Sequence, residues 1–267
     1  MRLKDKVAIV TGGGGGIGEG IANCLAREGA NVVIADINFD SAYKVVTKVE
    51  ESYGIKGFPF FVDIKKSENV SLMVEQTVKI FGKIDILVNN VGISGSIGLP
   101  FDNNTEEEWK EIFDTNLFSV FRTAKAVAPH FRKQRSGRII NIASIAGQMP
   151  GPMKPAYSVS KMGVITLTRI LAGEFAPYNV TVNAINPGLL WTPLWEKLAK
   201  QNKERFPDEY SNMEDQDIFM KRTLELTPLR RPQKPEDVGN AVVFLASDEA
   251  SEITGDVLQV NGGVIMH

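Results

Sequence analysis

The sequence predicts an α/β fold: a single domain on a doubly wound, parallel, seven-stranded sheet with helices on both faces. Three observations predict it. Short β-branched runs alternate with longer amphipathic ones along nearly the whole chain. The short runs are almost continuously apolar, as strands are when both faces are covered. The repeated strand–helix order requires right-handed crossovers, which lay helices on both sides of a parallel sheet.

The elements follow in order. Val7-Ala8-Ile9-Val10 reads as the first strand, and residues 17–28 as the helix after it. Gly29 then suits a left-handed cap. Residues 31–35 and 57–62 form the second and third strands, with helices at 41–52 and 69–81. The fourth strand, 84–88, leads to one long helix at 106–131. Thr105 offers an N-cap hydroxyl to that helix, ahead of three glutamates suited to its dipole. The fifth and sixth strands, 138–142 and 180–185, flank a helix at 157–175. A last helix at 235–245 starts on a proline in its first turn, and the seventh strand is 257–260. The stretch 194–226 breaks the rhythm: it is polar, has weak helical patterns, no strand, and scattered aromatics such as Trp195 and Phe219. A substrate lid or binding loop spanning 189–226 and a solvated helical hairpin both fit that composition.

Composition narrows the function. The 267 residues carry a formal charge of −2, which supplies no basic field for nucleic acid. The basic clusters at 132–135 and 230–231 read as solvated helix ends or turns. Cys24 is the one cysteine, so no internal disulfide forms, and a cytoplasmic location is expected. Two distant histidines, His130 and His267, do not make a zinc site. No run resembles a signal peptide or approaches the ~20 apolar residues of a membrane span.

Two motifs carry chemistry. Thr11-Gly12-Gly13-Gly14-Gly15-Gly16-Ile17-Gly18 joins a strand to a helix, where backbone N–H groups and a helix N-terminus can receive a pyrophosphate. Its register is open: Gly13, Gly15 and Gly18 fit one spacing, Gly12, Gly16 and Gly18 another. Asp36, ending the second strand, is placed to accept hydrogen bonds from the adenosine ribose or to cap the next helix. Its carboxylate would repel a 2′-phosphate, and no Arg or Lys lies in the glycine loop or directly after it, so NAD is expected over NADP. Tyr157 and Lys161 stand one helical turn apart. A cation there favours the phenolate and brings the phenol within reach of neutral-pH proton transfer.

In this order and spacing the residues closely resemble the short-chain dehydrogenase/reductase family, whose fold is Rossmann-like, over nearly the whole chain. The resemblance selects the Gly12, Gly16, Gly18 register. Asn89-Asn90-Val91-Gly92 resembles the family's Asn-Asn-Ala-Gly element, with valine in place of alanine. The resemblance implies a catalytic tetrad of Asn116, Ser144, Tyr157 and Lys161. It implies cofactor contacts from Ile17, Ile37, Asp63, Ile64, Asn90 and Gly92, and from Pro187, Gly188 and Thr192 around the carboxamide. Ser144 is then expected to fix the substrate oxygen and Tyr157 to move its proton. Lys161 is expected to hold the ribose and depress the Tyr157 pKa, and Asn116 to hold a water leading protons out.

The expected activity is NAD-dependent interconversion of a secondary alcohol and a ketone. Reduction of a 3-oxoacyl thioester, oxidation of a sugar or polyol, and a non-catalytic NAD-binding role are the alternatives. Loops at 93–99, 145–155 and 189–226 are expected to set specificity. Met149, Met153, Trp191 and Trp195 are expected as apolar walls, and Gln148 and Lys154 as groups for hydroxyls or anions. The resemblance also implies a homotetramer or homodimer through the helices at 106–131 and 157–175, with Leu167, Ile170, Leu171 and Phe175 facing either a partner or the sheet. The tail from Gly262 to His267 is expected near a neighbouring subunit's site.

Overall fold

In a computed structural model describing residues 1–151 and 154–266, β1 (Val7–Thr11) runs through the glycine turn into α1 (Gly16–Arg27). There follow β2 (Asn31–Asp36), α2 (Phe39–Tyr53), β3 (Gly57–Phe61), α3 (Ser67–Phe81) and β4 (Ile86–Asn89). Next come α4 (Glu106–Phe113), α5 (Ser119–Gln134), β5 (Gly137–Ile142), α6 (Pro155–Phe175) and β6 (Val180–Pro187). Three helices, α7 (Pro193–Arg205), α8 (Pro207–Tyr210) and α9 (Asp215–Leu226), make up the polar excursion. Then α10 (Pro235–Ala246) leads to β7 (Val257–Val260). All seven strands pair parallel, in the order β3-β2-β1-β4-β5-β6-β7. Connections leave β1 toward β2 on one side and β4 lies on its other side. That reversal opens a crevice at the carboxyl ends of β1 and β4.

Strand alternation divides the core into two layers. Ala8 and Val10 of β1 pack with Ile21 and Leu25 of α1 and with Val238 and Val242 of α10. Ile9, between them, belongs to the opposite layer with Met73 of α3, Val127 and Phe131 of α5, and Phe175 of α6. Pro59 interrupts the third strand without cost to the ladder, because β3 is an edge and pairs with β2 alone. Cys24 is fully buried between α1 and α10, where a Cβ on Gly239 would stand 2.7 Å from its sulfur. Its thiol reaches the Glu236 carbonyl at 3.9 Å and Asn240 Oδ1 at 3.7 Å.

Beneath the crevice runs a polar ladder. Thr123 Oγ1 donates to Asn89 Oδ1 at 2.7 Å, Asn89 Nδ2 to Asn141 Oδ1 at 2.8 Å, and Asn141 Nδ2 to Thr168 Oγ1 at 2.9 Å. These four residues from α5, β4, β5 and α6 are almost completely buried. They tie both helices of one layer to the two central strands.

The helix expected at 106–131 is not continuous. Asp114–Phe118 adopt a π turn between α4 and α5. The i→i+5 bonding slips the register by one residue, which rotates Thr115 and Asn116 inward and leaves Phe118 half-exposed. Phe175 also differs from a partner-facing position: it is 2% exposed and fills the core under Arg132. Leu171 packs on the same layer, Leu167 packs beside Val164, and Ile170, at 62% exposed, is the one of the four that faces outward.

Candidate active site

The carboxyl ends of β1 and β4 are stitched together before any ligand is considered. Asn90 donates its backbone N–H to Thr11 Oγ1 at 3.1 Å, and its Nδ2 to the carbonyls of Thr11 (3.2 Å) and Gly12 (3.0 Å). The glycine turn takes left-handed backbone angles at Gly12 (φ 62°) and Gly16 (φ 55°), which selects the Gly12, Gly16, Gly18 register on physical grounds. Gly18 serves close approach: a Cβ there would lie 2.0 Å from the Gly12 carbonyl oxygen. Over Gly15 and Gly16 a Cβ would meet nothing within 4 Å, so the space above the loop and the N-terminus of α1 is free.

Asp36 braces this loop. Its Oδ2 accepts the Gly14 N–H at 3.0 Å and its Oδ1 the Asn38 N–H at 2.9 Å. The cap of α2 is Asn38, whose Oδ1 accepts the Ser41 N–H at 3.1 Å. Asp36 and Ile37 line a cavity of about 350 Å³ together with Asp63, Ile64, Lys65, Asn90 and Gly92. Lys65 is tied to Glu111 at 2.9 Å.

A second cavity, of about 700 Å³, shares Asn90, Gly92 and Ile93 with the first. Ile17, Tyr157, Lys161, Thr192 and Lys197 also line it. The two cavities meet along the end of β4 and run from Asp36 to Tyr157. With the bare glycine loop between them, these residues fit a nicotinamide dinucleotide: adenosine beside Asp36, pyrophosphate over the glycines, nicotinamide toward Thr192. Thr192 caps α7 through its backbone and spends no side-chain bond on the helix. Pro187 is buried, and the Gly188 N–H donates to Gln233 Oε1 at 2.8 Å, which fixes the chain behind the second cavity.

Tyr157 and Lys161 share a face of α6, as their spacing predicts. Lys161 is 4% exposed and its Nζ donates to the Ile142 carbonyl at 2.8 Å. Burial brings its ammonium down to about 8. Tyr157 is hydrogen-bonded to Ser144, which also accepts the Ala146 N–H at 3.1 Å. Ser144 therefore contacts the phenol and caps a 3-10 turn at once. Burial pushes the Tyr157 phenol up, and the Ser144 bond offsets part of that rise. This reverses the expectation that Lys161 depresses it. The Lys161 ammonium lies 5.9 Å from the ring centroid and is engaged with a backbone carbonyl, so desolvation dominates in the cofactor-free chain.

The π turn aims Asn116 at the loop after β4. Its Oδ1 accepts the Ile93 N–H at 2.8 Å, and its Nδ2 donates to the Ile93 carbonyl (2.9 Å) and to Ser160 Oγ (2.9 Å). Ser160 in turn donates to the Tyr157 carbonyl at 2.8 Å. The side-chain amide thus clamps the cavity wall to α6. A Cβ on Gly92 would stand 3.1 Å from Lys161 Nζ and 3.5 Å from Asn116 Oδ1, so glycine at 92 lets the three meet.

The expected substrate walls differ. Trp191 and Trp195 pack edge-on against Phe219 of α9, with centroids at 5.3 and 5.1 Å, and fasten α7 to α9. Met149 is half-exposed at the rim, and Met153 lies outside the described residues. The Gln148 amide oxygen is engaged within the protein: it accepts from Asn186 Nδ2 and, at 2.7 Å, from Gln259 Nε2. Glu108 and Lys197 line the cavity in their place. Both come from polar surfaces of amphipathic helices, where sequence gives no sign of inward orientation.

This fold and this crevice define a nicotinamide-dependent oxidoreductase, and comparison with known proteins agrees. The sequence profile described as Enoyl-(Acyl carrier protein) reductase matches residues 12–265. The 3-oxoacyl-acyl-carrier-protein reductase FabG of Thermotoga maritima is 36% identical over 266 residues, covering both chains fully. Among solved structures, an NAD+-bound xylitol dehydrogenase superposes with a TM-score of 0.89 at 32% identity, over 98% of this chain and 100% of the other. The L-sorbose reductase of Gluconobacter frateurii, complexed with NADPH and L-sorbose, superposes at 0.91 and 32% over the whole of both chains. The chain belongs to the short-chain dehydrogenase/reductase family.

Proposed function

We propose that the protein is an NAD-dependent oxidoreductase that interconverts a secondary alcohol and a ketone by direct hydride transfer, with Tyr157 as general acid and base. One observation carries this reading: the Tyr157 phenol, bonded to Ser144 and beside Lys161, opens onto a cavity continuous with the dinucleotide crevice. When bound, the nicotinamide ring accepts or donates the hydride at carbon. The chain's own residues do the rest. Ser144 orients the substrate oxygen, and Tyr157 removes its proton in oxidation or supplies it in reduction. Lys161 offers its ammonium to the ribose hydroxyls and supports the phenolate. The Asn116 clamp holds Ile93 and α6 in register, so that donor and acceptor carbons approach to about 3–3.5 Å.

The choice of NAD rests on Asp36. Its carboxylate is held in place by two backbone N–H groups at the ribose end of the crevice. The nearby Lys65 ammonium is neutralised by Glu111 and is a poor partner for a 2′-phosphate. Self-association through the outer faces of α5 and α6 belongs to the same reading, since Phe121 and Ile170 stand exposed there.

Steady-state turnover with each cofactor against secondary alcohols, 3-oxoacyl thioesters and polyols tests the proposal. Tyr157→Phe is expected to lower kcat at least 10³-fold, near the upper part of the range for general acid–base catalysis, while cofactor affinity changes little. Turnover retained in that variant overturns the assignment. Asp36→Ala is expected to lower the NAD-to-NADP ratio of kcat/KM by about tenfold or more, the equivalent of one lost charge-assisted contact. Thioester reduction with NADPH as the dominant activity favours the acyl-carrier reading, and cofactor binding without turnover on any substrate favours a non-catalytic role.

A further inference from the structure

Ser144 caps a turn of three residues, Ile145–Gly147, that has little backbone of its own to hold it. The Gly147 N–H donates to the Ser144 carbonyl at 2.9 Å and the Gln148 N–H to the Ile145 carbonyl at 3.0 Å. The turn rests directly on α6, because a Cβ on Gly147 would stand 2.9 Å from the Lys161 carbonyl carbon and from the Met162 nitrogen. Its other tether is the side chain of Gln148, which takes no part in moving the hydride or the proton.

Gln148 ends a run of amides whose orientation is set from the backbone. Asn261 Oδ1 accepts the Gly263 N–H at 3.0 Å and the Ile265 N–H at 3.4 Å, so its Nδ2 is left to donate to Gln259 Oε1, at 2.9 Å. Gln259 Nε2 then donates to the Val257 carbonyl at 3.2 Å and to Gln148 Oε1 at 2.7 Å. Asn186 Nδ2 donates to the same Gln148 oxygen. Backbone N–H groups only donate and backbone carbonyls only accept, so the run fixes which end of each amide is which, and Gln148 must present an acceptor. Asn186 and Asn261 are almost completely buried. Both donors to Gln148 have a longer second acceptor, Gln259 Oε1 at 3.4 Å for Asn186 and the Val257 carbonyl for Gln259. Loss of the Gln148 oxygen therefore frees the serine turn more than it unsettles β6 and β7.

Resting on the oxidoreductase reading, we propose that Gln148 is a positioning residue: held by Asn186 and Gln259, it fixes the turn that sets Ser144 against Tyr157. Ser144 has to meet the phenol and the substrate oxygen at once, and a misplacement of about 1 Å costs on the order of 10²-fold in rate. The cofactor crevice keeps its own walls at Asn90, Gly92 and the glycine loop. The loss therefore falls on kcat and leaves cofactor affinity in place.

Two variants separate the hydrogen bonds from the bulk of the side chain. Gln148→Met keeps its length and removes the acceptor, whereas Gln148→Glu keeps an oxygen for both donors. Turnover is measured with xylitol and NAD, and with 3-oxobutanoyl coenzyme A and NADPH, each with Ser144 present and in Ser144→Ala. Gln148→Met is expected to lower kcat about 30-fold with Ser144 present, and at most about threefold in Ser144→Ala, where there is no hydroxyl left to misplace. Gln148→Glu is expected to stay within about threefold of the parent. A side chain that only supported the fold would cost the same in both backgrounds. Crystal structures of the parent and Gln148→Met need no substrate, and are expected to show Ser144 Oγ displaced from the Tyr157 hydroxyl by more than about 0.5 Å, the tolerance of a working site. An unshifted serine, an equal loss in both backgrounds, or a Glu variant as slow as the Met variant overturns the proposal. Failure of the oxidoreductase reading shows elsewhere, as turnover that survives Tyr157→Phe, and the place of Ser144 in the crystals then decides the anchor by itself.

Discussion

Lys161 illustrates how one residue is placed against its own preference. An ammonium with 4% exposure and a single carbonyl partner is held at about 8, well below the ordinary lysine value. The unfolded chain keeps its proton up to about 10.4, so between about 8 and 10 the unfolded state holds more protons than the folded one. Stability of the cofactor-free protein therefore gains from Lys161 as pH rises through that window, and bears the full penalty below it. Lys161→Met removes the penalty. The variant is expected to lose turnover yet be at least as stable as the parent at pH 7, with an advantage of at most about 3 kcal/mol that shrinks toward pH 10. Urea midpoints of both proteins at pH 7 and 9.5 check this. A variant equally destabilised at both values removes the argument.

At the scale of elements, the buried polar ladder carries the same logic of obligation. Asn89 is matched on both sides, by Thr123 and by Asn141. Asn89→Ala strands Asn141 Oδ1 inside the core, while the Thr123 hydroxyl keeps the Ser119 and Val120 carbonyls as acceptors at 3.0 Å; the cost is about 1–3 kcal/mol, and thermal denaturation is expected to show a fall of roughly 3–10 °C. An unchanged midpoint would mean that the ladder reorganises freely. The strands were legible in the sequence because covered parallel strands must read as apolar β-branched runs, and Val7-Ala8-Ile9-Val10 does so. The Thr105 cap was legible too, since its Oγ1 accepts the Glu108 N–H as the local pattern demands. The π turn was not. A slip of one residue at 114–118 leaves the helical periodicity of 106–131 nearly intact while redirecting Asn116. The site followed the same division. Gly12, Asp36, Tyr157 and Lys161 depend on neighbours close in sequence or on a strand end. The turning of Trp191 and Trp195 onto Phe219 and the capture of Gln148 by Gln259 depend on chain distant in sequence.

At the scale of the molecule, the two helical layers are not equivalent. In the layer holding α5 and α6, Phe118 and Phe121 on one helix side, and Val159, Met162 and Ile170 on the other, are each at least 46% exposed. Scattered apolar residues are ordinary on a surface, and the proposed self-association would cover five large ones grouped on this one face. Asn116 sits in the π turn that leads into α5, and Tyr157 and Lys161 sit on α6, so covering this face would also steady the site. A closed two-fold pairing of this face is self-complementary, because each copy offers the same pair of helices to the other. Light scattering is expected to give an even multiple of the 29.3 kDa chain mass. Phe121→Glu with Ile170→Glu buries two carboxylates in each copy's contribution to the interface and is expected to shift the protein to a smaller species with weaker turnover. A parent protein that runs as a monomer, or a double variant that keeps the parent mass, overturns this assembly and leaves the crevice chemistry to a single chain.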